Sequence, residues 1–190
     1  MLIDDILRIS CSPSESHIIS ETCFDFLKES NGYPLFKNLP RNYDDLHRVK
    51  VRLRKKKDVV AESFNEAFKQ IRSQFQQRAV FADSHKPQPT DIAEPFYIFP
   101  LNGYKFMYNT EVSNSSKEYK NAFNTVFEQL GEKEEATHVL TDLLKYTYKS
   151  EDLKEGIKHG AEIVIYNIPY YYAVRCSKFK DYGELLTLLQ

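Results

Sequence analysis

The chain is short of cysteine, of glycine and of any excess of one charge sign, and each shortage removes a class of function. Cys11, Cys23 and Cys176 are odd in number and far apart, with no Cys-x-x-Cys and no Cys/His ligand spacing. Neither a disulfide framework nor a structural zinc site is expected, and the three read as buried thiols. The 6 glycines include no Walker loop and no Gly-x-Gly-x-x-Gly, which sets aside P-loop phosphoryl transfer and Rossmann chemistry. Lys+Arg 26 against Asp+Glu 27 leaves a net charge of -1, too balanced for a protein whose whole surface grips nucleic acid. No apolar run reaches about 18 residues, so no membrane span is expected. Asp4 and Asp5 stand where a secretory leader would carry cations, so the chain reads as cytosolic. His17, His47, His85, His138 and His159 fall in five separate segments without a His-x-x-x-His spacing, and no serine sits in a Gly-x-Ser-x-Gly elbow. Metal and triad chemistry are therefore not expected.

What is present is apolar periodicity of both kinds. At 190 residues, 42% hydrophobic and 14% aromatic, the chain suits one domain (1–190) with a real core. Ser14 to Ser30 carries Ile18, Ile19, Cys23, Phe26 and Leu27 at helical steps, predicting an N-terminal helix over 14–30 closed by Asn31-Gly32. A short edge strand is expected over Tyr33 to Lys37, because Pro34 cannot donate to a ladder. Val49, Val51 and Leu53 alternate with cations, predicting a half-exposed strand. Asp58 to Phe75 reads as a helix and Ala79 to Ala82 as a buried strand. Phe96 to Phe99 and Tyr104 to Tyr108 flank Asn102-Gly103, which predicts a hairpin. Helices follow over 116–130, 134–149 and 153–159. Ala161 to Asn167 and Tyr170 to Cys176 read as a second hairpin or adjacent strands, and a C-terminal helix covers 182–189. The class is α+β with a largely antiparallel sheet and a mixed body over 33–176.

Two surface features could carry binding. Arg48 to Lys57 holds seven cations in ten residues, a local field suited to phosphate groups or nucleic acid, or else a solvated strand edge. Tyr170, Tyr171 and Tyr172, with Tyr166 upstream, could stack on a ring, although alternation on a strand lets only part of the set share one surface.

Lys158-His159-Gly160-Ala161-Glu162-Ile163-Val164-Ile165, followed by Tyr170 to Val174, resembles the last motif of ADP-ribosyltransferase-fold proteins, in which a glutamate opens an apolar strand. The order of landmarks from about Ser30 to Val174 also resembles a family of tailed-phage proteins. The landmarks are Ser30-Asn31-Gly32 before Pro34 to Lys37, the basic Arg52 to Asp58, Arg78-Ala79-Val80-Phe81, Tyr97 to Pro100 with Asn102 to Lys105, and the Glu162 strand. The resemblance implies two small, mostly antiparallel sheets flanked by helices around an NAD cleft. It implies Glu162 as the catalytic carboxylate and Lys37, Arg52, Arg54, Arg78 and Tyr97 as cofactor-binding residues. The implied function is a phage-encoded transferase acting on a host macromolecule in the host cytoplasm. The alternative is a catalytically inactive interaction protein that binds a host-defence factor, a host polymerase or a virion component. The chain departs from the family in three places: Lys37 stands where the arginine falls, Arg78 to Ala82 lacks a Ser-Thr-Ser, and Gly160 replaces a second carboxylate or amide.

Overall fold

The computed structural model describes residues 13–51, 59–71, 79–112 and 114–189. The elements run α1 (Pro13–Thr22), α2 (Phe24–Ser30), β1 (Phe36–Pro40), β2 (Leu46–Lys50), α3 (Val59–Ile71), β3 (Ala79–Ala82), β4 (Ala93–Pro100) and β5 (Lys105–Met107). They continue with α4 (Ser115–Leu130), α5 (Lys133–Thr147), α6 (Leu153–Lys158), β6 (Ile163–Tyr166), β7 (Tyr170–Arg175), a short 3₁₀ turn (Cys176–Lys178) and α7 (Tyr182–Leu189). The class is α+β with two small antiparallel sheets. One has the order β1-β4-β7-β2 and the other β3-β6-β5.

Alternation within the strands explains how the sheets stack. In β6, Ile163 and Ile165 enter a core shared with the four-stranded sheet, while Val164 and Tyr166 enter a second core against α3, α4 and α5. In β4, Tyr97 and Phe99 meet the ring of Tyr182 on α7, and Phe99 also meets Phe26 on α2. Ile98 points to the opposite side, toward the smaller sheet. The layers therefore run helices, sheet, sheet, helices, with Arg48 and Lys50 of the edge strand β2 left exposed. That is why Pro95 to Pro100 and Ile163 to Tyr166 are buried without interruption, although antiparallel strands usually show one wet face.

The two expected hairpins do not form. Strands β4 and β5 lie in different sheets, and so do β6 and β7. The Asn102-Gly103 corner carries the chain from one sheet to the other and fills a break between α1 and α2. The Asn102 backbone N–H donates to Thr22 O at 2.7 Å and its amide to Glu21 O at 2.8 Å. The Asp25 N–H donates to Asn102 Oδ1 at 2.9 Å, and the Gly103 N–H to Asp25 Oδ2 at 2.8 Å. These bonds satisfy carbonyls at the end of α1 and an N–H at the start of α2. The single helix expected over 14–30 is thus two helices parted at Cys23, whose Sγ donates to Phe99 O at 3.4 Å. The second corner has Asn167 at φ 65, and its amide donates to Gly103 O at 3.1 Å, tying the two crossings together. Cys23 and Cys176 are buried free thiols, while Cys11 lies outside the described residues.

The first strand is displaced from 33–37 to Phe36–Pro40, beyond Pro34, and it is an edge strand. Among the described residues no helix is long and apolar enough to cross a membrane.

Candidate functional site

Glu162 stands at the mouth of β6, held from three directions. Behind it, α6 ends at His159, and Gly160 adopts φ +74. A Cβ at Gly160 would lie 2.4 Å from His85 Cε1, so the absence of a side chain admits the imidazole. In front, α4 starts at Ser115, whose N–H donates to Glu162 Oε2 at 2.7 Å. The Ser115 hydroxyl also bonds the carboxylate and accepts from Tyr148 O–H at 2.7 Å, which makes a relay from Tyr148 through Ser115 to Glu162. Glu162 is 9% exposed.

The third partner follows from strand register. Strands β3 and β6 pair Ala79 with Tyr166 through Ala82 with Ile163, and the ladder stops there: Asp83 bridges instead to Phe36 of β1, which leaves its carboxyl close enough to act on that of Glu162. Burial is the main force holding the Glu162 carboxyl above its ordinary 4.5; Ser115 pulls it down, Asp83 pushes it up and Lys37 pulls it down. Asp83 is also held above its ordinary value, first by burial, with Lys37 opposing. Burial also pushes the Tyr148 phenol up to about 12, Ser115 opposing, with Glu162 and Glu118 adding to the rise.

Lys37 connects this pair to a second region. Its Nζ donates to Phe81 O at 2.6 Å, and its charge acts on both carboxyls. Two cavities lie nearby, and Lys37 lines one of them. One, of about 210 Å³, is lined by Asp83 to Pro87 and Gly160 to Glu162. The other, of about 360 Å³, is lined by Lys37, Tyr43, residues 47–51 of the β2 segment, Ala79 to Phe81 and Tyr171, with no carboxylate among the described residues of its wall. Lys37 and Glu162 are thus electrostatically joined but line different hollows.

The remaining expected residues separate. By register, Lys37, His47, Val49 and Tyr171 share one face of the four-stranded sheet. Arg48 and Lys50 alternate to the other face with Tyr170 and Tyr172, where the Arg48 guanidinium lies 4.9 Å from the Tyr170 ring centroid. Tyr166 is in the other sheet and packs toward α3–α5. Tyr97 is a core residue, 5% exposed, against Phe36 and Tyr182, and lines neither cavity. Arg52, Arg54 and Arg78, with most of the basic run, lie outside the described residues. His47 stacks on Tyr43 at 4.1 Å between ring centroids, and the loop bearing Tyr43 is pinned by Arg175, which bonds the carbonyls of Arg41 and Tyr43 and the carboxylates of Asp45 and Glu94.

Asp83 and Ser115 escaped sequence reasoning. The signal for Asp83 was a carboxylate closing one apolar strand in the way that Glu162 opens another. Ser115 carried no such mark. The described residues bring together no group of His, Cys, Asp and Glu side chains able to hold a metal ion. Comparison with protein-family models, curated proteins and solved structures finds no match.

Proposed function

We propose that this chain is an ADP-ribosyltransferase-like protein, phage-encoded, that binds NAD along the line from the larger cavity to Glu162. The observation that carries the reading is the position of Lys37, which lines the cation-bearing cavity while its charge reaches Asp83 and Glu162. Lys37, on the inner face of the sheet with His47 and Tyr171, offers a point charge to a phosphate, and about 360 Å³ lies at the small end of ligand pockets. In the reaction, the bond from ribose C1′ to nicotinamide breaks and nicotinamide leaves with its electrons. C1′ then bonds a nucleophile of a host macromolecule, whose proton passes to solvent. Glu162, ionised, stabilises the positive charge that develops on the ribose, an effect strengthened in a water-poor site. Titration calorimetry with NAD, run beside a nicotinamide-release assay, tests this. Heat and release are expected in the parent, with release lost and heat kept in Glu162→Gln, whose amide oxygen still accepts from Ser115. A parent protein with neither heat nor release overturns the reading.

A second reading, a catalytically silent interaction protein of the host cytoplasm, is favoured by one observation. The carboxylate and the ammonium are each already bonded within the fold, to Ser115 and to the Phe81 carbonyl.

A further inference from the structure

Helix α5 turns one side to the core through Ala136, Leu140 and Leu144 and leaves large apolar side chains on the other. Val139, Leu143 and Tyr146 are 47%, 51% and 89% exposed. They stand at i, i+4 and i+7, so they share one face and form a stripe roughly 10 Å long. Phe127 and Leu130, in the last turn of α4 just before the 131–132 link to α5, are exposed as well. Three large apolar side chains side by side on one helix face form a contiguous patch, unlike apolar residues scattered singly over a surface.

The charges around the stripe say what fits it. Helical spacing places Glu132, Glu135 and Asp142 along the same side of α5. Glu132 and Glu135 enter no ion pair among the described residues, whereas the cations of the helix are engaged. Lys133 pairs with Glu62 on α3 at 2.9 Å and Lys145 with Asp142 at 3.0 Å. Asp142 is thus paired with Lys145, and His138 lies against it as well, so the acidic border of the stripe is Glu132 and Glu135 at its N-terminal end.

We propose that the outer face of α5 is a docking surface for an amphipathic helix of a partner protein, apolar on one side and bordered by Lys and Arg. Val139, Leu143 and Tyr146 enter the groove between its apolar side chains, and Glu132 and Glu135 meet its cations. This deepens the interaction reading and does not depend on NAD.

The test uses the full chain and a fluorescein-labelled model helix of about 14 residues, Leu on one face and Lys on the other, followed by anisotropy. Saturable binding is expected, weakened about tenfold or more by Leu143→Glu and reduced by raising the salt. A charge-only variant, Glu132→Lys with Glu135→Lys, leaves the apolar stripe intact and is expected to lose the preference for the Lys helix over a matched Leu/Glu helix. Three results overturn the proposal: equal binding by Leu143→Glu, equal binding of the two model helices to the parent, or a parent dimer in light scattering that Leu143→Glu makes monomeric. Pulldown from infected-cell lysate by the Leu143→Glu protein separates the two ideas. A partner still retained and released by reversing Arg52, Arg54 and Lys56 keeps the interaction reading and discards this face.

Discussion

The two cores on either side of strand β6 are built differently. The core between the sheets is closed mainly by aliphatic and aromatic side chains, Ile163, Ile165, Ile98 and Ala173 among them, and the Tyr108 hydroxyl donates to the carbonyls of Glu151 and Asp152. The core under the helices contains a polar knot. Ser63 Oγ bonds Tyr119 Oη at 2.6 Å and Thr137 Oγ1 at 2.7 Å, joining α3, α4 and α5. Apolar packing tolerates rearrangement of shape at modest cost, whereas a buried hydroxyl network specifies one arrangement and loses heavily when half dismantled. The sheet core thus holds the layers together, and the knot fixes how the three helices sit on them.

The difference is open to measurement. Ile163→Ala in the sheet core and Leu140→Ala in the helix core are each expected to cost about 3 kcal/mol in urea unfolding. If the two cores form one cooperative unit, circular dichroism and tyrosine fluorescence will give coincident transitions for both variants. A split confined to Leu140→Ala shows that the helical layer unfolds separately. Gly156→Ala should cost about 2 kcal/mol by overpacking, since its Cβ would lie 2.7 Å from Tyr108 Cγ in a ring held at its far end by two carbonyls. Ser63→Ala is expected to cost about 1.5 kcal/mol, because the Tyr119 hydroxyl is left without its partner while Thr137 still donates to Lys133 O.

Two smaller effects sharpen the contrast. A carboxyl whose folded pKa lies above its unfolded value binds its proton more tightly in the native state, so stability falls as pH rises from the ordinary value through the folded one. Glu162 and Asp83 both behave this way. Glu162→Gln should therefore flatten the decline of stability with pH above 4.5, leaving the share due to Asp83, and chemical denaturation at several pH values reads it. A slope unchanged by the substitution would place the pH dependence elsewhere. Lys133→Met, which removes the largely solvated pair with Glu62, is expected to change stability by less than about 0.5 kcal/mol.

The elements were legible in the sequence because each carries its own period, as the helical steps of α4, α5 and α7 and the apolar run of β6 show. Pairing was not legible. Asn102-Gly103 has the chemistry of a tight hairpin turn, and nothing local reveals that its amide is bonded to the broken helix beneath it. The same holds at Asn167, where adjacency in the chain again differs from adjacency in a sheet. Glu162 was visible as a carboxylate opening an apolar strand. Its dependence on Asp83 required the register, and its bond to Ser115 required knowing where α4 begins.

The double crossing also bears on synthesis. The four-stranded sheet draws on residues 36–40, 46–50, 93–100 and 170–175, and the other on 79–82, 105–107 and 163–166. Neither can be completed from a contiguous stretch, and β7, an inner strand, is the last of the described strands to leave the ribosome. Until it does, the apolar edge of β4 has no neighbour on one side, so a nascent chain stopped before residue 170 presents a sticky strand. Holdase chaperones would be expected to capture such a fragment far more than the finished protein.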